Sequence, residues 1–163
     1  ACENYLESAN IFRFPNVVGT PATHGVIYDF VNRLFVSQNE LRVLGDGTQK
    51  KCYLHVSDLI SAMLFMHDQG MNNRLQIVNI GPHDDGITVK DIAETVVCLF
   101  STRPLIVYGT GDRGWIGDVP KFQYDTTKIN NLGWAPRLGS YDAVRLASRQ
   151  IFDQISASAY VQN

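Results

Sequence analysis

Between residues 10 and 108 the chain alternates short stretches of strand pattern with longer stretches of helical period, and that alternation restricts it to α/β architecture. Asn10 to Phe14 alternates like a strand and stops at Pro15. Gly25 to Ser37 places Val26, Ile27, Phe30, Val31, Leu34 and Phe35 at helical spacing. Leu41 to Leu44 and Lys51 to His55 are short strands around a glycine turn. Val56 to Gln69 is a second helix, with Ser57 as its expected N-cap and Gly70 as its stop. Leu75 to Ile80 is a strand. Thr88 is expected to cap a third long helix carrying Val89, Ile92, Ala93, Val96, Val97 and Phe100 on one face. Leu105 to Tyr108 is a further strand, and Gly109 to Pro120 is a loop. A short helix is expected from Asp125 to Leu132, ended by Gly133, and a last one from Ser140 to about residue 155.

A chain of 163 residues fits one unit and is long enough to bury a core. Its net charge of −2 argues against a nucleic-acid binder. No apolar run approaches the roughly 20 residues needed to span a bilayer. The opening Ala1-Cys2-Glu3-Asn4-Tyr5 has neither the basic start nor the apolar core of a secretory leader. Cys2, Cys52 and Cys98 are odd in number, widely spread and at no metal spacing, so reduced thiols in a cytoplasmic protein are expected.

Residues 45 to 58 carry the strongest chemical signal. Gly45 and Gly47 permit a tight turn. Lys50 and Lys51 place ammonium groups beside it, an arrangement suited to phosphate. Tyr53, His55, Ser57 and Asp58 follow on a strand and a helix start. The catalytic look of His55 and Asp58 is discounted, because a His on a strand before a helix start most often hydrogen-bonds locally. His24, His67 and His83 have no partners at metal spacing, and no nucleophile elbow is present.

Five blocks in order carry a family resemblance. They are Ile11 to Gly19, ending Arg13-Phe14-Pro15-Asn16-Val17-Val18-Gly19, and Gly45-Asp46-Gly47 with Tyr53-Leu54-His55-Val56-Ser57-Asp58. Val78-Asn79-Ile80-Gly81 with Thr88-Val89 is the third. Gly117-Asp118-Val119-Pro120 comes next, and Asp125 to Lys128 with Leu132 to Pro136 closes the series. Together they resemble the C-terminal half of the extended short-chain dehydrogenases, specifically the nucleotide-sugar epimerases and dehydratases. The resemblance implies a substrate-binding lobe of an extended Rossmann-type epimerase with only the last part of the cofactor-binding sheet. Residues 1–24 would end the Rossmann-type lobe and residues 25–163 would form most of the nucleotide-sugar lobe, the whole being one truncated unit.

The same resemblance places the NAD-binding glycine turn and the catalytic Tyr-x-x-x-Lys before Ala1, so this chain is expected to lack both. Tyr5 does not take the tyrosine's place, because Ala9 stands four positions on. The glycines of residues 109 to 117 are not read as the NAD turn, because no long helix follows them. The chain alone is therefore expected to bind no cofactor, although the parent family uses NAD, and to be inactive alone.

For the ligand, a nucleotide-diphosphate sugar and foremost a UDP-sugar, the resemblance implies several contacts. Asn16 would donate to a sugar-phosphate oxygen, the alternative being a turn after a strand. Lys51 stands where the family commonly has an arginine, and a surface role is equally open. Leu41, Arg42, Val43 and Leu44 would lie beside the base through backbone groups and apolar walls, although Val43 and Leu44 equally fit plain core. Val26, with Gly25 and Ile27, would offer helix N-terminal amides to phosphate, or serve as core. Arg113 would clamp the diphosphate. The implied activity is that of a UDP-glucose 4-epimerase-like enzyme. A non-catalytic truncated module is the alternative; its uncovered first strand would drive self-association into at least a dimer.

Overall fold

A computed structural model describes residues 2–70, 74–111 and 124–161. The expected alternation is there. In chain order the elements are α1 (Cys2–Tyr5), β1 (Ala9–Arg13), β2 (Asn16–Val18), α2 (Val26–Val36), β3 (Glu40–Val43), β4 (Lys50–Lys51) and β5 (Tyr53–His55). They continue with α3 (Val56–Asp68), β6 (Leu75–Asn79), β7 (Ile87–Thr88), α4 (Val89–Val97), β8 (Leu105–Tyr108), α5 (Thr127–Asn131) and α6 (Ser140–Val161).

The strands pair two by two. β1 with β6, β2 with β5, and β3 with β8 are parallel; β4 with β7 is antiparallel. Parallel partners need a long crossover, usually a helix. Here α2 lies between β2 and β5, and α4 between β3 and β8, in the sequence. Two strands were not expected from the sequence. Asn16 opens β2, opposite Tyr53, and β7 is a two-residue pairing with the lysine pair.

Helix α2 buries Ile27, Phe30, Val31 and Leu34, a stripe of period 3.6. That stripe packs with Ile92, Ala93 and Val96 of α4, with Val144, Ala147 and Ile151 of α6, and with Leu41 and Val43 of β3. Phe35, Phe100 and Phe152 close this core with ring centroids 5.1 to 5.4 Å apart, near the preferred spacing of aromatic pairs. A second core joins Leu54, Leu59, Ala62, Met66, Val78, Ile80, Ile129 and Trp134. The Trp134 indole donates to Ser61 Oγ at 3.2 Å, which meets its one polar requirement.

Local signals explain the helix starts. Thr88 caps α4 with Asp91 in a reciprocal capping box, as the sequence predicted for Thr88. Helix α3 differs from expectation: its N-cap is His55, whose side chain accepts from Ser57 N, while Ser57 lies inside the helix. The imidazole does the work of a capping oxygen because β5 delivers it, buried, to the first turn. Helix α6 runs on to Val161, well past the expected end.

Candidate functional site

Alternation along residues 49 to 53, which lead through β4 into β5, builds the main wall of a cleft. Gln49, Lys51 and Tyr53 are two residues apart, so their side chains share a face, and all three line the same cleft of about 830 Å³. β2 supplies Asn16, Val17 and Val18 beside them, because Asn16 registers with Tyr53. The loop from Gly19 to Gly25, the first turns of α2 and Leu44 complete the enclosure.

Several features stiffen this wall. Asp84 Oδ2 accepts from Ser140 N and Asp84 Oδ1 from Ser140 Oγ, both at 2.6 Å, while Ser140 Oγ accepts from Tyr53 N at 3.1 Å. The start of α6 is thereby tied to β5. Asp58, buried, accepts from Arg137 N and Leu138 N, both at 3.1 Å, and holds the approach to α6. His55 spends both ring nitrogens within the fold: Nδ1 locally on Ser57, and Nε2 at 3.1 Å from Gln150 Oε1 of α6. His55 and Asp58 are thus scaffold, as the sequence suggested. Gly19 (φ +140) and Gly86 (φ +91) are required by close approach: a Cβ on Gly19 would stand 2.6 Å from Val56 Cγ1, and one on Gly86 2.3 Å from the Lys51 carbonyl oxygen.

The polar lining is mixed. Lys51 and Arg33 bring positive charge, Asp29 negative charge, and His24 an imidazole. Gly25, the N-cap of α2, makes no side-chain capping bond, and it lines the cleft together with Val26, Ile27 and Tyr28 of the first turn, whose amides have no partner within the helix. Gln49 is buried, and neither atom of its amide has a hydrogen-bond partner. Such a group costs free energy until something pairs with it. Nothing in the sequence marked Gln49, since one glutamine in a glycine turn carries no periodic signal.

Of the ligand contacts expected from the sequence, Asn16, Val26, Leu44 and Lys51 line the cleft. Val43 is core, 3% exposed. Arg42 points outward and pairs with Glu40, which raises its pKa through the hydrogen bond and the adjacent charge, while its carbonyl accepts from Arg33 Nη1 at 3.2 Å. Arg113 lies outside the described residues. No group of three His, Cys, Asp or Glu side chains able to hold a metal occurs among the described residues. No helix among them is long and apolar enough to cross a membrane.

Two spacings bear on a dinucleotide cofactor. Gly111, Gly114 and Gly117 do stand at Gly-x-x-Gly-x-x-Gly spacing, and Tyr124 and Lys128 at Tyr-x-x-x-Lys spacing. Gly114 and Gly117 lie outside the described residues. The next described helix after Gly111 is α5, five residues long and starting at Thr127. Tyr124 stands before that helix with its hydroxyl donating to Phe14 O at 3.0 Å, and the Lys128 ammonium donates to Ile77 O at 2.8 Å. Tyr124 and Lys128 thus spend these polar groups on backbone carbonyls of the chain itself.

The model of the NAD dependent epimerase/dehydratase family matches residues 1–81. UDP-N-acetyl-alpha-D-glucosaminuronate decarboxylase of Bacillus cytotoxicus is 28% identical over 129 residues, which cover 75% of this chain and 39% of that protein. A crystal structure of UDP-galactose 4-epimerase superposes with a TM-score of 0.75 at 31% identity, over 91% of this chain and 46% of its own. The structure of UDP-glucose 4-epimerase from Thermotoga maritima with UDP-glucose gives a TM-score of 0.67 at 25% identity, over 91% and 46%. This chain spans less than half the length of each of these relatives. It belongs to the NAD-dependent epimerase/dehydratase family, and its parallel α/β fold is that of the family's members.

Proposed function

We propose that this chain, as a member of the NAD-dependent epimerase/dehydratase family, forms the nucleotide-diphosphate-sugar grip of a UDP-glucose 4-epimerase-like enzyme. The observation that carries the proposal is the shared cleft of Asn16, Lys51 and the uncapped start of α2. A diphosphate needs amide donors and a cation in one place. The cleft offers both, beside apolar walls from Val18, Val26 and Leu44. A UDP-sugar is the first choice of ligand because the Thermotoga maritima relative carries UDP-glucose. In this assignment the chain's own residues bind and orient: Asn16 donates to a phosphate oxygen, Lys51 neutralises charge, and Arg113 adds a clamp. It holds no NAD by itself and is inactive alone.

The test is a calorimetric titration of the chain with UDP-glucose and, separately, with NAD. Saturable UDP-glucose binding without NAD binding is the expected result. NAD binding without UDP-glucose binding would overturn the assignment.

A second role, a non-catalytic module that self-associates, is favoured by one surface. Among the described residues β1 pairs with β6 alone, and Leu6, Phe14, Ile60, Leu64 and Ile77 are exposed. An open strand edge with apolar neighbours promotes association. Sedimentation showing a monomer at every concentration would count against that role.

A further inference from the structure

We propose that Arg33 is the residue that selects the nucleobase, favouring a base with a carbonyl edge (uracil, thymine or guanine) over adenine. The inference rests on the nucleotide-sugar assignment above and extends it to the far end of the cleft.

Helix α2 acts as a ruler. Val26 and Arg33 both line the cleft from this helix. Seven residues at 1.5 Å each set them about 10 Å apart along its axis. The N-terminal end carries the free amides and the positive pole of the helix, which suits an anion. The arginine end is built differently. Arg33 Nη1 donates to the Arg42 carbonyl at 3.2 Å, which ties the guanidinium to the end of β3. That carbonyl is available because β3 turns its other edge to β8: the Asn39 and Val43 carbonyls accept from Leu105 N and Gly109 N. Leu44 follows at once, 66% exposed and lining the cleft. An apolar side chain beside a planar donor fork suits the face and edge of an aromatic ring. It suits a diphosphate less, since Leu44 donates nothing.

The sign of the selectivity follows from the chemistry of the group. A guanidinium has five N–H donors and no acceptor. With one donor spent on Arg42, the remaining donors are matched only by acceptors. Uracil, thymine and guanine present carbonyl oxygens on their edges, whereas adenine presents an amino donor beside its ring nitrogen. A donor-only fork is mismatched to that amino group.

Competition binding with UDP, ADP and inorganic pyrophosphate tests the assignment on the wild-type chain, Arg33→Met and Arg33→Gln. The wild type is expected to prefer UDP to ADP by on the order of tenfold, the effect of one charge-assisted hydrogen bond. Arg33→Met narrows that ratio by weakening UDP, with pyrophosphate binding unchanged. Arg33→Gln, able to donate and accept, narrows it by strengthening ADP. A wild-type ratio near one, or a ratio unchanged in both variants while UDP still binds, overturns the role of Arg33 and leaves the nucleotide-sugar assignment standing. Failure of the wild type to bind UDP, ADP or pyrophosphate overturns both. A purely structural Arg33 would lower all three affinities together.

Discussion

Asp84 accepts two hydrogen bonds of 2.6 Å from Ser140, one from the backbone N–H and one from the hydroxyl, and so joins the turn before β7 to the first residue of α6. The same carboxylate accepts from Gly86 N at 2.8 Å, and Ser140 in turn receives Tyr53 N of the cleft wall. One side chain thus holds three segments that are far apart in the sequence.

Asp84→Ala leaves those donors without their acceptor. Hydrogen bonds to charged groups contribute about 1.5–3 kcal/mol each and are not additive within one network, so the expected loss is roughly 3 kcal/mol. Urea denaturation of both proteins measures it. Because Tyr53 is reached through Ser140, UDP-glucose affinity is expected to fall as well.

The cleft was legible in the sequence where chemistry and periodicity coincide. Strand alternation at residues 51 to 55, the helical stripe of α2 and the Thr88 cap all follow from local rules. The pairings that assemble the site do not. β2 is three residues long and meets a strand 37 positions later, Asn16 opposite Tyr53; no local pattern encodes that register. His55 was readable as structural, but its capping role was not, since capping preferences favour small polar oxygens at that position. Arg42 and Val43 show the limit of alternation: once β3 is placed, one faces solvent and the other the core, yet the sequence alone does not say which face looks inward.

Gln49 gives the clearest separation of stability from binding. Its buried amide has no partner on either atom. Replacing such a group by an apolar one of similar shape is neutral to stabilising, so Gln49→Met is expected to raise stability by about 1 kcal/mol. The same change removes a donor and an acceptor from the lining of the cleft, and UDP-glucose affinity is expected to fall several-fold. Thermal denaturation and calorimetric titration of one preparation read both effects. Lower stability together with unchanged affinity would assign Gln49 to the scaffold.

Asn16 and Lys51 are predicted to differ in their response to salt. Lys51→Met removes a charge, so affinity for UDP-glucose should fall about tenfold at low salt and the loss should shrink at 0.5 M NaCl, where screening is strong. Asn16→Ala removes a neutral donor, and its loss, about fivefold for one hydrogen bond, should be nearly independent of salt. Titrations at two ionic strengths check the contrast. Parallel salt dependence in the two variants would place Lys51 outside the ligand's charge field.

Cys52 provides a pH signature of the folded wall. Its thiol is buried and lies 3.6 Å from the Asp84 carbonyl oxygen. Burial, with the negative charges of Asp84 and Asp85, raises its pKa above the ordinary thiol value. The folded state therefore holds this proton at pH values where the unfolded chain has released it. A pKa raised on folding contributes stability that is complete below the unfolded value, about 8.5, and is lost as pH rises through the folded value. Denaturation midpoints are expected to decline above about pH 8.5 and to decline less in Cys52→Ala. Cys98 is exposed and gives the internal contrast: iodoacetamide should label it in the native protein, while Cys52 reacts only when denaturant opens the core. Native labelling of Cys52 at the rate of Cys98 would show that the wall of β5 opens far more readily than its Asp84–Ser140–Tyr53 brace allows.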